Sequence, residues 1–248
     1  MKYTSLFILL LLVKVSSAQR FMDNEMWLWI QGNKGLSKKL NVGLQYQMRL
    51  DNNLSTFKWS YYYFNVDYKL SKKINSQFVF QYGDSYDKKL YSFFIALSTR
   101  KKINRFTIAY RTAYQHEQNS LIYQYSRLMK SSPINEWRNR LTCKYPINNH
   151  FKLYAFTEPY IDFETSDLRI SKIRNSIGLE YEFIKNNFIN PFFLYQPDII
   201  VDAQPVLERV LGLTYEFQIP YQSKKHKHKK NKNEYYDDDK SNTENDIF

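Results

Sequence analysis

The sequence predicts an all-β protein: an antiparallel, up-and-down transmembrane β-barrel of about twelve strands, with about ten as the alternative. Three observations carry that prediction. Apolar and polar residues alternate with period two along most of the chain, and no stretch beyond the N-terminal leader shows an apolar period of 3.6. Aromatic residues are abundant, with 22 Tyr, 18 Phe and 4 Trp, yet the mean hydropathy is polar at −0.60. After the leader no segment is long and apolar enough to span as a helix, which takes ~20 residues. A barrel accounts for all three, because only every second strand residue meets lipid. A soluble β-sandwich gives a milder version of the same statistics.

The chain opens with Lys2, a continuous apolar run over 6–13, and the small residues Ser16, Ser17 and Ala18 ahead of Gln19. This is the layout of a cleaved secretory leader over 1–18. The run is too short for a spanning anchor. No cysteine follows the cleavage position, so no lipid anchor is expected and the mature chain is expected to begin at Gln19.

One barrel domain is expected over 19–221. Its clearest strand has Leu40, Val42, Leu44, Tyr46, Met48 and Leu50 interleaved with Asn41, Gly43, Gln45, Gln47, Arg49 and Asp51. A helix cannot produce that pattern, and a strand with one greasy and one wet face must. Its length suits a tilted crossing of ~9–11 residues. The pattern returns at Ile74–Tyr82, Phe106–Tyr114, Trp137–Tyr145, Ile173–Phe183 and Leu207–Ile219, and more noisily over 57–69, 89–98, 150–163 and 188–198. Polar connectors over 33–39, 70–73, 99–104, 146–150 and 185–187 read as hairpin turns. Residues 120–128 supply a further strand if the even strand number of bacterial barrels is to be kept.

From Gln222 the aliphatic content vanishes. The tail carries seven Lys against six acidic residues, a net of +1 out of +12 for the chain. Such composition predicts disorder over 222–248. His226 and His228 alternate with lysines, which repel a metal cation. The remaining positive excess lies in the body. Export argues against nucleic acid as partner, so outer-membrane lipid and lipopolysaccharide phosphates are the expected counter-charges.

A family resemblance emerges from several segments. Met26-Trp27-Leu28-Trp29 comes early, and later come Glu158-Pro159-Tyr160-Ile161-Asp162-Phe163, the stretch from Arg174 to Phe183, and Phe192-Phe193-Leu194-Tyr195-Gln196. Their order and spacing resemble an uncharacterised family of Bacteroidota outer-membrane proteins, a domain-of-unknown-function group. The resemblance implies a β-barrel of a Gram-negative outer membrane. It brings no activity, cofactor or catalytic residue.

The polar strand faces carry Arg49, Arg105, Arg111, Arg138, Arg140, Lys144, Lys152, Lys172 and Arg174, with Glu158, Asp162, Glu180, Glu182, Glu208 and Glu216. These are the candidate lumen charges, since a lipid-facing Arg or Lys near the midplane costs ~2–4 kcal/mol. They either select small polar solutes electrostatically or pair with one another and fill the interior. Trp59, Tyr61, Tyr62, Tyr63 and Phe64 read as an interfacial girdle in preference to a stacking groove.

No phosphate-binding glycine loop, paired catalytic carboxylates or zinc-ligand spacing is present, and the chain has only six glycines. No cofactor, no metal and no enzymatic activity are therefore expected. A lipid-modifying enzyme would rest on His116, read as a loop residue beside Glu117 and near Ser120. Cys143, the single cysteine, falls in an apolar phase. A soluble, exported, lipocalin-like barrel has the same alternation with its faces exchanged, and would put the charges in solvent around an apolar ligand. Loops over 115–134 and 199–205 are expected to meet ligands or close the mouth.

Overall fold

The computed structural model describes residues 21–86, 88–124, 127–130, 133–163, 168–199 and 206–222. The leader over 1–18, the tail beyond Gln222 and residues 200–205 lie outside the described residues.

Among the described residues twelve strands follow one another: β1 (Phe21–Gly35), β2 (Leu40–Asp51), β3 (Thr56–Lys69), β4 (Ile74–Asp84), β5 (Lys88–Ile103), β6 (Phe106–Gln124), β7 (Arg127–Lys130), β8 (Ile134–Pro146), β9 (Phe151–Asp162), β10 (Arg169–Ile184), β11 (Asn187–Pro197) and β12 (Val206–Ile219). Each pairs antiparallel with its neighbours in sequence, apart from one substitution and one closure. The long strand β6 pairs with β8 from Thr107 to Glu117. Its far end folds back on the four-residue β7 as a hairpin. Eleven strands therefore form the closed wall. An odd wall leaves the first and last strands running the same way, and β1 and β12 accordingly pair in parallel from Phe21↔Val206 to Lys34↔Ile219. The even parity expected of such barrels is lost because β7 forms that hairpin and no part of the wall.

Turn chemistry separates the two ends. At one end the connections are short. Asn104 and Asn186 take φ of 55° and 63° in two-residue turns, a conformation asparagine tolerates because its side chain bonds locally. The turns after β1 and β3 are the same tetrapeptide, Leu-Ser-Lys-Lys, at 36–39 and 70–73. In each the serine hydroxyl accepts two backbone N–H groups, Ser37 from Lys39 and Leu40, Ser71 from Lys73 and Ile74. Asn148 does the same for His150 and Phe151. The opposite end carries the β6–β7 hairpin and the connections after β9 and β11. The chain leaves β12 at the short-turn end.

Two expected connectors are shorter than predicted. Strand β5 continues to Ile103, and β1 runs through Gly35 before turning. Both stretches read as loops because polar residues dominate strand ends that project beyond an apolar band. The loop expected over 115–134 is likewise strand through Gln124.

The faces are inverted relative to a water-soluble fold. Outward residues such as Leu44, Ile95, Leu141, Ile177 and Leu211 are exposed, Leu44 by 68%, while the interleaved Gln45, Gln47, Asn65, Gln77 and Gln81 are buried, Gln47 at 0% exposure. Outward rings form a lateral row across β2–β5, from Tyr46 through Tyr62 and Tyr82 to Tyr91, with centroids 5.2, 6.2 and 5.3 Å apart. A second set, including Phe151 stacked on Tyr181 at 4.4 Å, lies at the short-turn end. Amphipathic rings at two levels of an apolar band are what a bilayer's interfaces favour. The lipocalin-like alternative needs the opposite arrangement and is overturned by these faces.

The five aromatics over 59–64 split by strand phase. Tyr62 and Phe64 point outward, as a girdle requires. Tyr61 is buried and stacks on Trp59 at 5.3 Å inside the barrel, with Tyr63 next in the row at 6.1 Å. The girdle reading thus fails for the three odd-numbered residues, since alternation sends them to the lumen.

Candidate functional site

The lumen is partly filled. Trp27, Tyr154, Phe192, Leu194 and Val210 form an apolar block inside the wall. It closes over Gly212, where a Cβ would come within 1.9 Å of the Phe192 ring. A second block of Val79, Phe94, Ala96 and Ala113 sits on the other side.

Between these blocks lies a charged septum. Strands β6 and β8 present their inward phases side by side, so Arg111 lies opposite Arg140, with Arg138 two residues before Arg140 in β8. Strand β9 contributes Glu158, which has no exposed surface. Its two carboxylate oxygens accept from Arg111 at 2.9 Å, Arg140 at 2.9 Å and Arg138 at 3.1 Å, and from the Tyr160 hydroxyl at 3.2 Å. Arg138 also donates to Gln115 at 2.7 Å. Arg174 lies across from Glu158 in the β9–β10 ladder. One carboxylate thus serves three guanidiniums. A charge buried this deeply is tolerated only when paired and hydrogen-bonded.

Toward the long-loop end the lumen widens into a chamber of about 570 Å³. Its polar wall is a relay: Arg174 donates to Gln196 at 2.6 Å, Gln196 to Glu208 at 2.6 Å, and Lys58 bridges Glu208 and Glu25. The Trp27 indole N–H donates to Glu25 at 2.6 Å. Arg49 stacks on Trp27 at 3.8 Å and on Tyr61 at 4.5 Å. Lys172 pairs with Glu136 at 3.3 Å and lies over Tyr160. Asp162 belongs to the inward phase at the end of β9, near this mouth.

On the short-turn side a smaller chamber of about 120 Å³ opens. Lys144 and Lys152 share Glu180 at 3.2 and 2.8 Å. Glu216 accepts from Asn33 and Gln218. Asp67 accepts from Asn65 and Gln77. Arg111, Arg140, Tyr154 and Phe156 belong to the walls of both chambers, so the septum divides them.

Of the sequence-derived charges Arg105 lies elsewhere, and Glu182, half-buried near the end of β10, is engaged by a turn. Arg105 is in the β5–β6 turn, fully outside, donating to the Pro146 carbonyl and stacking on the outward Tyr145 ring. Glu182 accepts the Asn186 backbone N–H at 2.9 Å and so caps a turn. Conversely Glu25, Lys58 and Glu136 join the lumen network without having been singled out.

His116 is in β6 and not in a loop. It faces outward, packs on Phe93 with centroids 5.2 Å apart and pairs with the Asn135 side chain. Its neighbour Glu117 points to the opposite face, into the large chamber. The two cannot cooperate, which removes the geometry behind the enzyme reading.

A family model described as a protein of unknown function, DUF2490, matches residues 24–198, from the first strand to the end of β11. The chain belongs to this family. No curated protein matches it. Among solved structures, the NanC porin shares 15% identity over 71% of this chain and 87% of its own, with a TM-score of 0.44. The translocator domain of the autotransporter NalP from Neisseria meningitidis shares 9% over 66% and 70%, with a TM-score of 0.41. The β domain of the Bordetella autotransporter BrkA shares 8% over 71% and 82%, with a TM-score of 0.40. With its apolar face outward and its charges inward, this DUF2490 chain is an outer-membrane-type β-barrel.

Proposed function

We propose that the protein is a non-enzymatic barrel of a Gram-negative outer membrane, exported by a cleaved leader, and a narrow conduit for small polar solutes. The observation that carries this reading is the septum: a lumen with chambers on both sides, narrowed by a salt-bridged cluster instead of being packed with apolar side chains throughout. Rings of charge at a constriction set which solutes a pore tolerates. The short-turn end is periplasmic in this reading, since outer-membrane barrels have short periplasmic turns and longer outer loops. The Leu-Ser-Lys-Lys turns then face the periplasm. Inner-leaflet phosphates and periplasmic anions become their counter-charges, in place of the lipopolysaccharide expected from composition.

The test is planar-bilayer recording of the purified protein. The conduit reading expects small, reproducible conductance steps that favour anions, because three guanidiniums face one carboxylate. A sealed membrane carrying verified folded protein would leave a purely structural role.

A further inference from the structure

We propose that the short-turn face of the septum is a binding site for a small oxyanion, a phosphate, sulfate or carboxylate group entering from the lysine-lined mouth. This deepens the conduit reading and rests on it for the route of entry. Two independent observations carry it. Arg111 and Arg140 are only 7% exposed each, yet among the described residues Nε and Nη1 of Arg111 and Nε of Arg140 have no hydrogen-bond partner. Glu158 uses Nη2 of each, so Arg111 keeps two open donor atoms and Arg140 one. An unmatched guanidinium edge in a buried site is costly, and its planar, forked donors fit an oxyanion better than any neutral solute.

The second observation is the approach. The repeated tetrapeptide turns place Lys38, Lys39, Lys72 and Lys73 around the small chamber, with Lys69 beside them. Its acidic groups are already engaged, Glu180 by two lysines and Asp67 by two side-chain amides. A mouth of one sign with low-dielectric walls concentrates anions and steers them inward. The chamber volume of about 120 Å³ admits a phosphate-sized group and little more.

The experiment uses the full chain, purified in uncharged detergent and titrated calorimetrically with inorganic phosphate and, separately, succinate. Saturable binding of at least one is expected, weakening at higher salt. Arg111→Gln should weaken it tenfold or more. Lys72→Gln should weaken it by less, and Arg169→Gln, in an exposed position at the other end, should leave it unchanged. If Arg111→Gln loses its folded, boiling-sensitive gel mobility, Arg111→Lys keeps the charge, removes the fork, and should still weaken binding. No binding to the wild type, or equal binding to the Arg111 variants, would overturn the site. The titration needs no passage through the barrel. Binding without conductance therefore defeats the conduit and spares the site, whereas conductance without binding does the reverse.

Discussion

Glu158→Gln should destabilise the barrel by about 3–5 kcal/mol, the cost of stripping one partner from a buried ion pair. Arg111, Arg138 and Arg140, now 2.9–3.1 Å from Glu158, would then confront one another without the carboxylate that pairs with all three among the described residues. The amide keeps an acceptor but not the charge that offsets three guanidiniums. Removing one repelling partner should give part of that loss back: Glu158→Gln combined with Arg140→Gln should be more stable than the sum of the single changes predicts. Urea unfolding in lipid vesicles, followed by the boiling-sensitive gel band, reads all four corners of this cycle. Strict additivity would show that the cluster is not the coupled septum described here.

The second large effect is depth-dependent. Ile177 lies near the middle of β10 and is 51% exposed, and Ile184 ends the same strand at 61%. In water an arginine at either position would be nearly neutral. In a bilayer Ile177→Arg should cost ~2–4 kcal/mol and Ile184→Arg ~0–1 kcal/mol, because the penalty falls from midplane to interface. Comparing unfolding free energies of the two variants in vesicles checks this. Equal small costs would mean that the exposed apolar band does not face lipid.

How far the sequence reveals this arrangement depends on the strand. Strand β2 is legible from end to end because its inward residues are Gln, Asn, Gly and Arg, and its outward ones are apolar. Strand β1 is not: Met26 to Ile30 is continuously apolar, with Trp27 and Trp29 turned inward to build the apolar block. Its phase is therefore hidden, and with it the inward position of Glu25. The same happens over 59–64, where aromatic residues occupy both faces. Lys58 shares the even phase of the outward Tyr62 and Phe64, so alternation alone sends it to lipid. It reaches the lumen because the β2–β3 register shifts there, with Arg49 opposite Trp59 and Leu50 opposite Phe57. Alternation also overreaches at strand ends, where Arg105 keeps the inward phase on paper but sits in a turn. The septum is visible in the sequence only as separate charges. Its assembly from β6, β8 and β9 depends on register, which period-two alternation leaves free. The odd wall is not legible at all, because nothing in residues 106–124 distinguishes a wall strand from one that continues into a hairpin.

A closed barrel with its apolar face in lipid is tested most simply by fractionation followed by gel mobility with and without boiling. The protein is expected to stay in the outer-membrane fraction, to need detergent for extraction, and to shift in mobility when boiled. Recovery in the soluble periplasm without detergent, with no shift, would contradict it.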